Sequence, residues 1–256
     1  MFQSLVYSVV VVLIYMLGWF AAAMIKQDNS IADIAWGLGF VVLACVNLLR
    51  SQTFSGRQFL ITGVIMIWAF RLAGHIFARN KGRGEDFRYA QWREEWGKHI
   101  IIKTLLNVFL LQGLLMVIIA YPIILVNATA QKPLNFLDGV GLFVWLMGFF
   151  FESVGDYQLL TFKKARANKG KIMTSGVWKY TRHPNYFGEV TIWWGIFMMA
   201  LSAPYGVTAL ISPIVITFLL LHVSGVPMLE KKYHDNPEFM EYARKTSRFI
   251  PWFPDV

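Results

Sequence analysis

The residues best suited to chemistry stand together in the stretch SGVWKYTRHPNYFGE of the C-terminal half. Pro184 suits the first turn of a helix, where its missing N–H removes no hydrogen bond. The backbone amides at a helix start are free and lie at the positive end of the helix dipole, so they bind phosphate or carboxylate. Arg182, His183 and Asn185 surround this helix start. Glu189 lies one turn beyond Asn185 on the same face, where it can accept from ribose hydroxyls or from an amide. The stretch therefore predicts a pocket for an anionic cofactor.

A second candidate is the acidic residue Asp33, which stands near the start of a long apolar segment. An ionisable residue at the centre of a membrane costs about 2.5–3.5 kcal/mol or more, so such residues are functional candidates. A protonated carboxyl aimed at a substrate carbonyl in a dry pocket stabilises the negative charge that develops on the carbonyl oxygen. The alternative is a structural ion pair, for example with Arg71.

A third candidate is the segment RNKGRGEDFRY at residues 79–89. Its glycines let the backbone approach a ligand closely, and its arginines suit phosphate oxygens because a guanidinium donates in pairs. Glu85 and Asp86 are placed to orient those arginines or to accept from ribose hydroxyls. The alternative is a basic loop that lies on anionic lipid.

Long apolar segments separate these polar stretches. The chain has 256 residues, of which 56% are hydrophobic and only 15% are charged. About 20 apolar residues cross a bilayer, and in lipid such a segment must be helical because its backbone groups find no water. We therefore predict an all-α membrane protein that forms a single domain over residues 1–256. The seven predicted transmembrane helices span about 4–25, 31–49, 58–78, 104–126, 134–160, 185–202 and 207–229.

Lys and Arg are distributed unevenly over the predicted connections, and this predicts the orientation. Twenty of them fall at Lys26, in the connections 79–103 and 161–184, and in the tail after residue 230. The alternate connections hold only Arg50, Arg57 and Lys132. The positive-inside rule then predicts an N-terminus outside and a C-terminus in the cytoplasm.

The formal charge of +9 is explained by this topology together with an anionic cofactor. Basic residues flank the apolar segments rather than forming one soluble patch, so nucleic acid is not expected as a partner. No group of His and Cys has the spacing of metal ligands, so we expect no metal.

The C-terminal motif resembles a superfamily of membrane enzymes. It includes the steroid 5-alpha-reductases, the sterol reductases, and the isoprenylcysteine and phospholipid methyltransferases. The resemblance is carried by Arg182-His183-Pro184-Asn185-Tyr186-Phe187-Gly188-Glu189, by the later Glu230 and Tyr242, and by Ile250-Pro251.

From about residue 30 onward, the chain is most similar to the bacterial branch of the steroid 5-alpha-reductase-like proteins. The similarity lies in Asp33 before Trp36-Gly37 and in the Gly82-Arg83-Gly84-Glu85-Asp86 loop. It implies NADPH-dependent reduction of the C4–C5 double bond of a 3-oxo-Δ4-steroid or a similar lipophilic enone. It also implies a site in the bacterial inner membrane or an equivalent membrane, with the N-terminal helices holding the lipid substrate and the C-terminal helices and loops holding the cofactor on the cytoplasmic side.

The resemblance also implies roles for individual residues. In the reductases a glutamate on the second helix, aided by a tyrosine on the third, polarises the enone carbonyl. Asp33 matches the glutamate, but Ala32 takes the place of the family's adjacent glutamine. Trp68 stands near the expected tyrosine, so Tyr89 is the candidate for the second donor. The expected substrate contacts are Asp33, Trp36 and Trp68. The expected cofactor contacts are Arg83, Asp156, Lys163, Lys171, Tyr180, Arg182, His183, Asn185, Glu189, Glu230, Tyr242 and Arg248.

Two other functions fit parts of the sequence. A methyltransferase that uses S-adenosylmethionine shares the Arg182-His183-Pro184 motif and Glu230, which describe a pocket for an adenosine-bearing cofactor rather than a chemistry. The reductase is favoured by Asp33, by the additional N-terminal helices, and by positive charge suited to dinucleotide phosphates. A transporter or lipid-binding scaffold would use the intramembrane ionisable residues for ion passage. No inverted repeat is evident in the sequence, and the richest motif lies in connections.

Overall fold

Helices account for 79% of the structure, a computed structural model that describes residues 1–82, 84–129 and 132–254. No strand occurs in these residues, and the predicted all-α class is confirmed. The α-helices are α1 (Phe2–Lys26), α2 (Ile31–Ser51), α3 (Gly56–Asn80), α4 (Phe87–Trp96), α5 (Ile100–Thr104), α6 (Leu111–Ile119), α7 (Tyr121–Ala128), α8 (Phe136–Lys164), α9 (Pro184–Ala200), α10 (Ile211–Phe218), α11 (Val226–Lys232) and α12 (Pro237–Lys245). Short 3₁₀ segments lie at Gly97–His99, Arg166–Asn168, Gly176–Lys179 and Gly206–Leu210, and π-helical segments lie at Leu105–Leu110 and Leu219–Val223.

Six helical segments of the described chain are long and apolar enough to cross a membrane. They are Phe2–Lys26, Ile31–Ser51, Gly56–Asn80, Phe87–Ile119, Phe136–Lys164 and Gly206–Lys232. Many of their apolar side chains face outward, as Ile14 does with 67% of its surface exposed. Apolar surface of this extent requires lipid or a partner, so the chain has the features of a multi-pass membrane protein. The remaining predicted span, 185–202, corresponds to α9, which is shorter at 17 residues.

The fourth predicted span differs most from the structure. Its helical segment begins at Phe87 rather than near residue 104, because α4 forms inside the predicted connection. The segment ends at Ile119, and α7 begins at Tyr121 with Pro122 in its first turn. A proline cannot donate a backbone hydrogen bond, so it begins a new helix more readily than it continues one.

The chain divides into two compact units, and α2 is the central helix of the first, which comprises Met1–Asn135 and Ala200–Ile211. It packs against α1, α3 and α7. A Cβ built on Gly37 of α2 would lie only 3.2 Å from the carbonyl oxygen of Ala69 in α3, so the two helices meet through small residues. The Tyr15 hydroxyl of α1 donates to the carbonyl of Ala35 at 2.8 Å. The start of α2, where Asp33 lies, is therefore held firmly.

The second unit, Phe136–Met199 with Ser212–Val256, contains two antiparallel helices in backbone contact. Glycines spaced by seven residues on α8 (Gly141, Gly148, Gly155) face glycines with the same spacing on α9 (Gly188, Gly195). A Cβ on Gly141 or on Gly148 would lie 2.6 Å from the carbonyl oxygen of the facing glycine. Small residues let membrane helices approach to this distance. This glycine ladder fixes α9 against α8.

Candidate functional site

Asp33, at the start of α2, is the centre of a hydrogen-bonded cluster in the first unit. Its Oδ1 accepts a hydrogen bond from the Tyr89 hydroxyl at 2.7 Å, and its Oδ2 accepts one from Nη2 of Arg88 at 2.7 Å. Nη2 of Arg79 lies 3.7 Å from the same Oδ2. Only 16% of the Asp33 side chain is exposed, which strengthens these interactions because little water screens them. The carboxyl group thus holds a phenol and a guanidinium side by side.

Helix α4 carries Tyr89 and Arg88, and Asp86 caps its start. The Asp86 side chain accepts from the backbone N–H of Arg88 at 3.0 Å and from Nε of Arg88 at 2.9 Å. The backbone N–H of Asp86 donates to the Ser30 hydroxyl at 2.7 Å, which ties α4 to the residue before α2. Burial of Asp86 would raise its pKa, but the hydrogen bonds and charge of Arg88 outweigh burial and hold the pKa below its ordinary value.

A second pair fixes the same connection. Glu85 accepts two hydrogen bonds from Arg93, from Nε and Nη2, each at 2.9 Å. The other contact of Glu85 is with the backbone N–H of Asn29 at 2.7 Å. Paired donation from a guanidinium to a carboxylate is the strongest geometry for such a contact. Asp86 therefore orients Arg88, one of the two roles that the sequence allows for it, whereas Glu85 pairs with Arg93 outside the segment 79–89. Both acids hold α4 over the start of α2.

Aromatic side chains line α2 beyond Asp33. Trp36 and Phe40 follow at intervals of three and seven residues, so they share its face. Phe40 packs edge-to-face on Trp36 and on Trp68 of α3, with ring centroids 5.2 and 5.4 Å apart. Trp68 is fully buried, whereas Trp36 is half-buried. The carboxyl group thus stands at the edge of an apolar, aromatic region.

In the second unit, Glu230 of α11 gathers three basic side chains. Its Oε1 lies 3.1 Å from Nη2 of Arg182 and 3.1 Å from Nε2 of His183, and its Oε2 lies 3.3 Å from Nε of Arg248. Arg182 and His183 precede α9, whereas Arg248 follows α12. One carboxylate therefore joins the start of α9 to the C-terminal segment.

Several polar atoms beside this carboxylate are buried without a hydrogen-bond partner. They are Nε of Arg182, Nδ1 of His183 and Oδ1 of Asn185. The Asn185 amide nitrogen is engaged, since it donates to Oδ1 of Asp156 on α8 at 3.2 Å. A buried polar atom left unpaired costs about 1–3 kcal/mol. One donor, Nε of Arg182, and two acceptors, Oδ1 of Asn185 and Nδ1 of the neutral His183 ring, thus lack partners at one helix start, which is the arrangement expected where a polar ligand binds.

His183 is the buried member of this cluster, with 3% of its surface exposed. Burial lowers the pKa of His183 below its ordinary value of 6.5 because it disfavours the charged ring. The Glu230 contact acts in the opposite direction, and the charges of Arg182 and Arg248 add to the lowering. In a neutral ring at pH 7, Nε2 carries the hydrogen that is donated to Glu230, so Nδ1 can accept a hydrogen bond from a ligand.

The C-terminal segment runs alongside the residues before α9. The backbone N–H of Arg182 donates to the carbonyl of Ser247 at 2.9 Å, and that of Trp252 donates to the carbonyl of Tyr180 at 2.9 Å. Between them, the Thr181 hydroxyl donates to the carbonyl of Phe249 at 2.8 Å. These three bonds hold the motif in place. We call residues 247–252 the C-terminal strap.

The structure brings together some of the predicted residues and separates others. Asp33 and Tyr89 are in contact, and Arg182, His183, Glu230 and Arg248 form one cluster, with Asn185 and Asp156 in direct contact on α9 and α8. The Tyr242 hydroxyl donates to the backbone carbonyls of Trp178 and Thr181, so Tyr242 stabilises the segment before α9. Exposed or half-buried positions are occupied by Lys163, Lys171, Tyr180 and Glu189. Arg83 lies outside the described residues.

Sequence reasoning placed Tyr89 beside Asp33 but missed the two arginines that contact its carboxyl group. Arg88 and Arg79 were visible only as members of a basic segment, and neither was assigned to the carboxyl group. The available signal was Asp86, a helix-capping residue two positions before Arg88, which indicates a helix start at this point. The structural alternative for Asp33, an ion pair exemplified by Arg71, takes the form of pairs with Arg79 and Arg88, and these are present together with the hydrogen bond from Tyr89.

The long apolar helices and the two polar clusters define a multi-pass α-helical membrane protein with a built polar site in each unit. The chain belongs to the family described as "Protein of unknown function (DUF1295)", whose model matches residues 19–246. No curated protein and no solved structure matches the chain.

Proposed function

We propose that the protein is a membrane oxidoreductase that uses NADPH to reduce the C4–C5 double bond of a 3-oxo-Δ4-steroid or a similar lipophilic enone. The observation that carries the proposal is the hydrogen bond of 2.7 Å between the Tyr89 hydroxyl and Asp33, which couples a phenol to a carboxyl group next to an aromatic region. Such a pair meets the requirement of the reaction for a proton donor at the carbonyl oxygen.

In this mechanism the enone carbonyl oxygen takes up negative charge as its β-carbon gains a hydride. Donors preorganised toward that oxygen lower the barrier, because they need not reorganise as the charge forms. Asp33 accepts from the Tyr89 hydroxyl and from Arg88 and so holds both donors at the site, and in this mechanism the Tyr89 hydroxyl turns from Asp33 to donate to the substrate carbonyl oxygen. Arg88, held by both Asp33 and Asp86, is a further donor for the developing oxyanion. Protonation of the α-carbon completes the reduction.

The second unit supports the cofactor assignment. When bound, NADPH supplies the hydride. The unpartnered Nε of Arg182 matches the need of a phosphate or ribose oxygen for a donor, and the unpartnered Oδ1 of Asn185 and Nδ1 of His183 match amide or hydroxyl donors. The start of α9 adds free backbone amides at the same place. Further proposed cofactor contacts on neighbouring segments are Lys163, Lys171 and Glu189.

We also propose seven membrane crossings, with α9 as the crossing beyond the six longer segments. Its 17 residues reach about 25 Å at 1.5 Å per residue, close to the hydrocarbon thickness of a bilayer. An odd number of crossings places the two termini on opposite sides of the membrane. The positive-inside rule then places the N-terminus outside and all the strongly basic connections in the cytoplasm. In a bacterial inner membrane this puts the proposed cofactor site on the side where NADPH is present.

The test is direct. Purified protein in detergent and lipid is incubated with progesterone or testosterone and NADPH, and the products are separated and identified by mass spectrometry. With NADPH deuterated at the transferable position, we expect one deuterium on the β-carbon of the reduced enone. Absence of reduction for both steroids and for simpler lipophilic enones contradicts the proposal.

Asp33→Asn provides the matched test of the acid pair. We expect it to lower turnover by about 10²–10⁴-fold, the usual contribution of a general acid, while NADPH affinity stays nearly unchanged. Glu94→Gln is the control, because it removes an exposed acid on α4. Turnover by Asp33→Asn equal to that of the Glu94→Gln control removes Asp33 from the mechanism.

Cofactor titration separates the reductase from the methyltransferase. The cluster around Glu230 is compatible with either adenosine-bearing cofactor. Saturable binding of NADPH without binding of S-adenosylmethionine supports the reductase, and the reverse result assigns the pocket to methyl transfer. Proton-coupled uptake in proteoliposomes without turnover of either cofactor would instead support a transporter.

A further inference from the structure

A polar cavity of about 360 Å³ lies in the first unit, at the end of α2 away from Asp33. Its polar lining comes from α1, α2 and α7 and from the residue after α2: Ser4, Asn47, Arg50, Ser51, Gln52 and Asn127. Asp33 and Arg50 stand at opposite ends of one helix, so about 25 Å of helix separates them at 1.5 Å per residue. The cavity is therefore distinct from the proposed active site.

The floor of the cavity offers an acceptor without a donor. Asn127 is 5% exposed, and its amide nitrogen donates to the carbonyl of Ile123 at 2.9 Å. That bond fixes the orientation of the amide, and Oδ1 is left buried without a partner. The neighbouring Asn47 is satisfied, since its nitrogen donates to Ser8 and to the carbonyl of Leu43. A ligand in the cavity that carries an N–H or O–H donor can therefore satisfy this acceptor.

The local helix ends favour a positive charge at this depth. Helix α2 ends at Ser51 and α7 ends at Ala128, so both present their last carbonyl groups and the negative ends of their dipoles to the cavity. A ligand ammonium is stabilised by such carbonyls and donates to Oδ1 of Asn127. A free anion would be repelled at this depth.

The rim of the cavity is positively charged, in contrast to the negative helix ends deeper in the cavity. Arg50 is exposed, and its guanidinium carbon lies 4.6 Å from the centre of the Tyr7 ring, which holds the side chain by a cation–π contact. A guanidinium binds phosphate oxygens through paired donors. The cavity thus combines an acceptor floor with a cationic rim, and its volume lies in the range of ligand pockets.

The cavity also lies at the height of lipid headgroups, because α1 and α2 are long and apolar enough to cross a membrane and the cavity lies at their ends. We propose that it binds a phospholipid headgroup that carries a primary ammonium beside its phosphate, as phosphatidylethanolamine does. The ammonium donates to Asn127 and the phosphate meets Arg50. A quaternary ammonium has no N–H for Asn127, and a glycerol headgroup has no cation.

Lipid retention measured by native mass spectrometry tests the proposal. The detergent-purified protein is titrated with phosphatidylethanolamine, phosphatidylcholine and phosphatidylglycerol of identical acyl chains. We expect phosphatidylethanolamine to bind at least about tenfold more tightly than the other two, the value of one charge-assisted hydrogen bond. Equal affinity for the three lipids overturns the proposal.

Two variants and one control locate the binding. Arg50→Gln and Asn127→Leu should each weaken phosphatidylethanolamine binding by about tenfold. Lys132→Gln removes an exposed charge of the same unit that does not line the cavity, and it should bind like the unaltered protein. Arg50 is exposed, so its variant tests the site even if Asn127→Leu fails to fold. Unaltered binding by Arg50→Gln refutes the site.

A soluble ligand distinguishes a phospholipid headgroup from a free aminoalkyl phosphate as the molecule that the cavity binds. O-phosphoethanolamine carries the same ammonium and phosphate without acyl chains. Weaker binding of this ester than of the lipid supports a lipid site. Binding with the same affinity as the lipid overturns the lipid assignment in favour of a soluble aminoalkyl phosphate.

Discussion

Replacing one glycine of the ladder between α8 and α9 should destabilise the protein, whereas replacing a glycine two residues away should not. A Cβ on Gly141 would meet the carbonyl oxygen of Gly195 at 2.6 Å and the backbone nitrogen of Met199 at 2.8 Å. Both are backbone atoms, so no side chain can rotate out of the way. Around Gly139, in contrast, nothing lies within 4 Å of the added carbon.

The magnitude follows from these distances. Ordinary contacts of a Cβ begin near 3.4 Å, so Gly141→Ala must move α9 away from α8 by nearly 1 Å. Overpacking of this kind costs about 1–3 kcal/mol. One kcal/mol shifts the melting temperature of a chain of this size by about 2–4 °C. We therefore expect the melting temperature of Gly141→Ala to fall by about 2–12 °C.

Gly139→Ala is the matched control, because alanine has the higher helix propensity by up to about 1 kcal/mol. It should leave the melting temperature unchanged or raise it by a few degrees. The assay is thermal unfolding of both purified variants in the same detergent. Equal melting temperatures for the two variants would show that α8 and α9 do not meet through the glycine ladder.

Three further predictions concern the second unit. Asn185→Ala should weaken NADPH binding by about 2–10-fold, the value of one hydrogen bond, without a comparable fall in kcat; an equal fall in kcat contradicts a binding role. His183 has a lowered pKa in the folded protein, so the unfolded chain binds the proton first and stability is lost as pH falls below about 6.5. His183→Gln should flatten this part of the melting profile between pH 7 and pH 5, whereas an unchanged profile assigns the pH dependence elsewhere. Gly176 has φ of +65°, and a Cβ there would overlap the Gln158 side chain, so Gly176→Ala should cost about 1–2 kcal/mol in thermal unfolding; a variant as stable as the unaltered protein would show that the turn can relax.

The helical class and the approximate positions of the long helices could be read from the sequence, because apolar runs of this length have one stable form in lipid. The start of α9 shows this well: Pro184 predicts a first turn, and the helix begins at that residue. Helix α4 shows the limit. Its ten residues are rich in charge and lack an apolar face long enough to identify it, and only Asp86 marks its start.

The contact between Asp33 and Arg88 could not be predicted for a related reason, and Tyr89 was expected beside Asp33 only through the family resemblance. Tyr89 and Arg88 lie more than fifty residues away along the chain, and their contact depends on the bonds that Glu85 and Asp86 make with the residues before α2. The glycine ladder was a different case. The spacing of seven between Gly141, Gly148 and Gly155 was present in the sequence as a sign of close helix packing, and it recurs between Gly188 and Gly195.

The C-terminal strap has a consequence for how the molecule is made. Ribosomes release a chain from its N-terminus, so helices of the first unit can enter the membrane while later segments are still being synthesised. The motif before α9, however, takes its backbone partners from Ser247, Phe249 and Trp252. The second polar site therefore takes shape only after residue 252 has emerged, and a ribosome stalled shortly before residue 247 would leave the first unit inserted and this site incomplete.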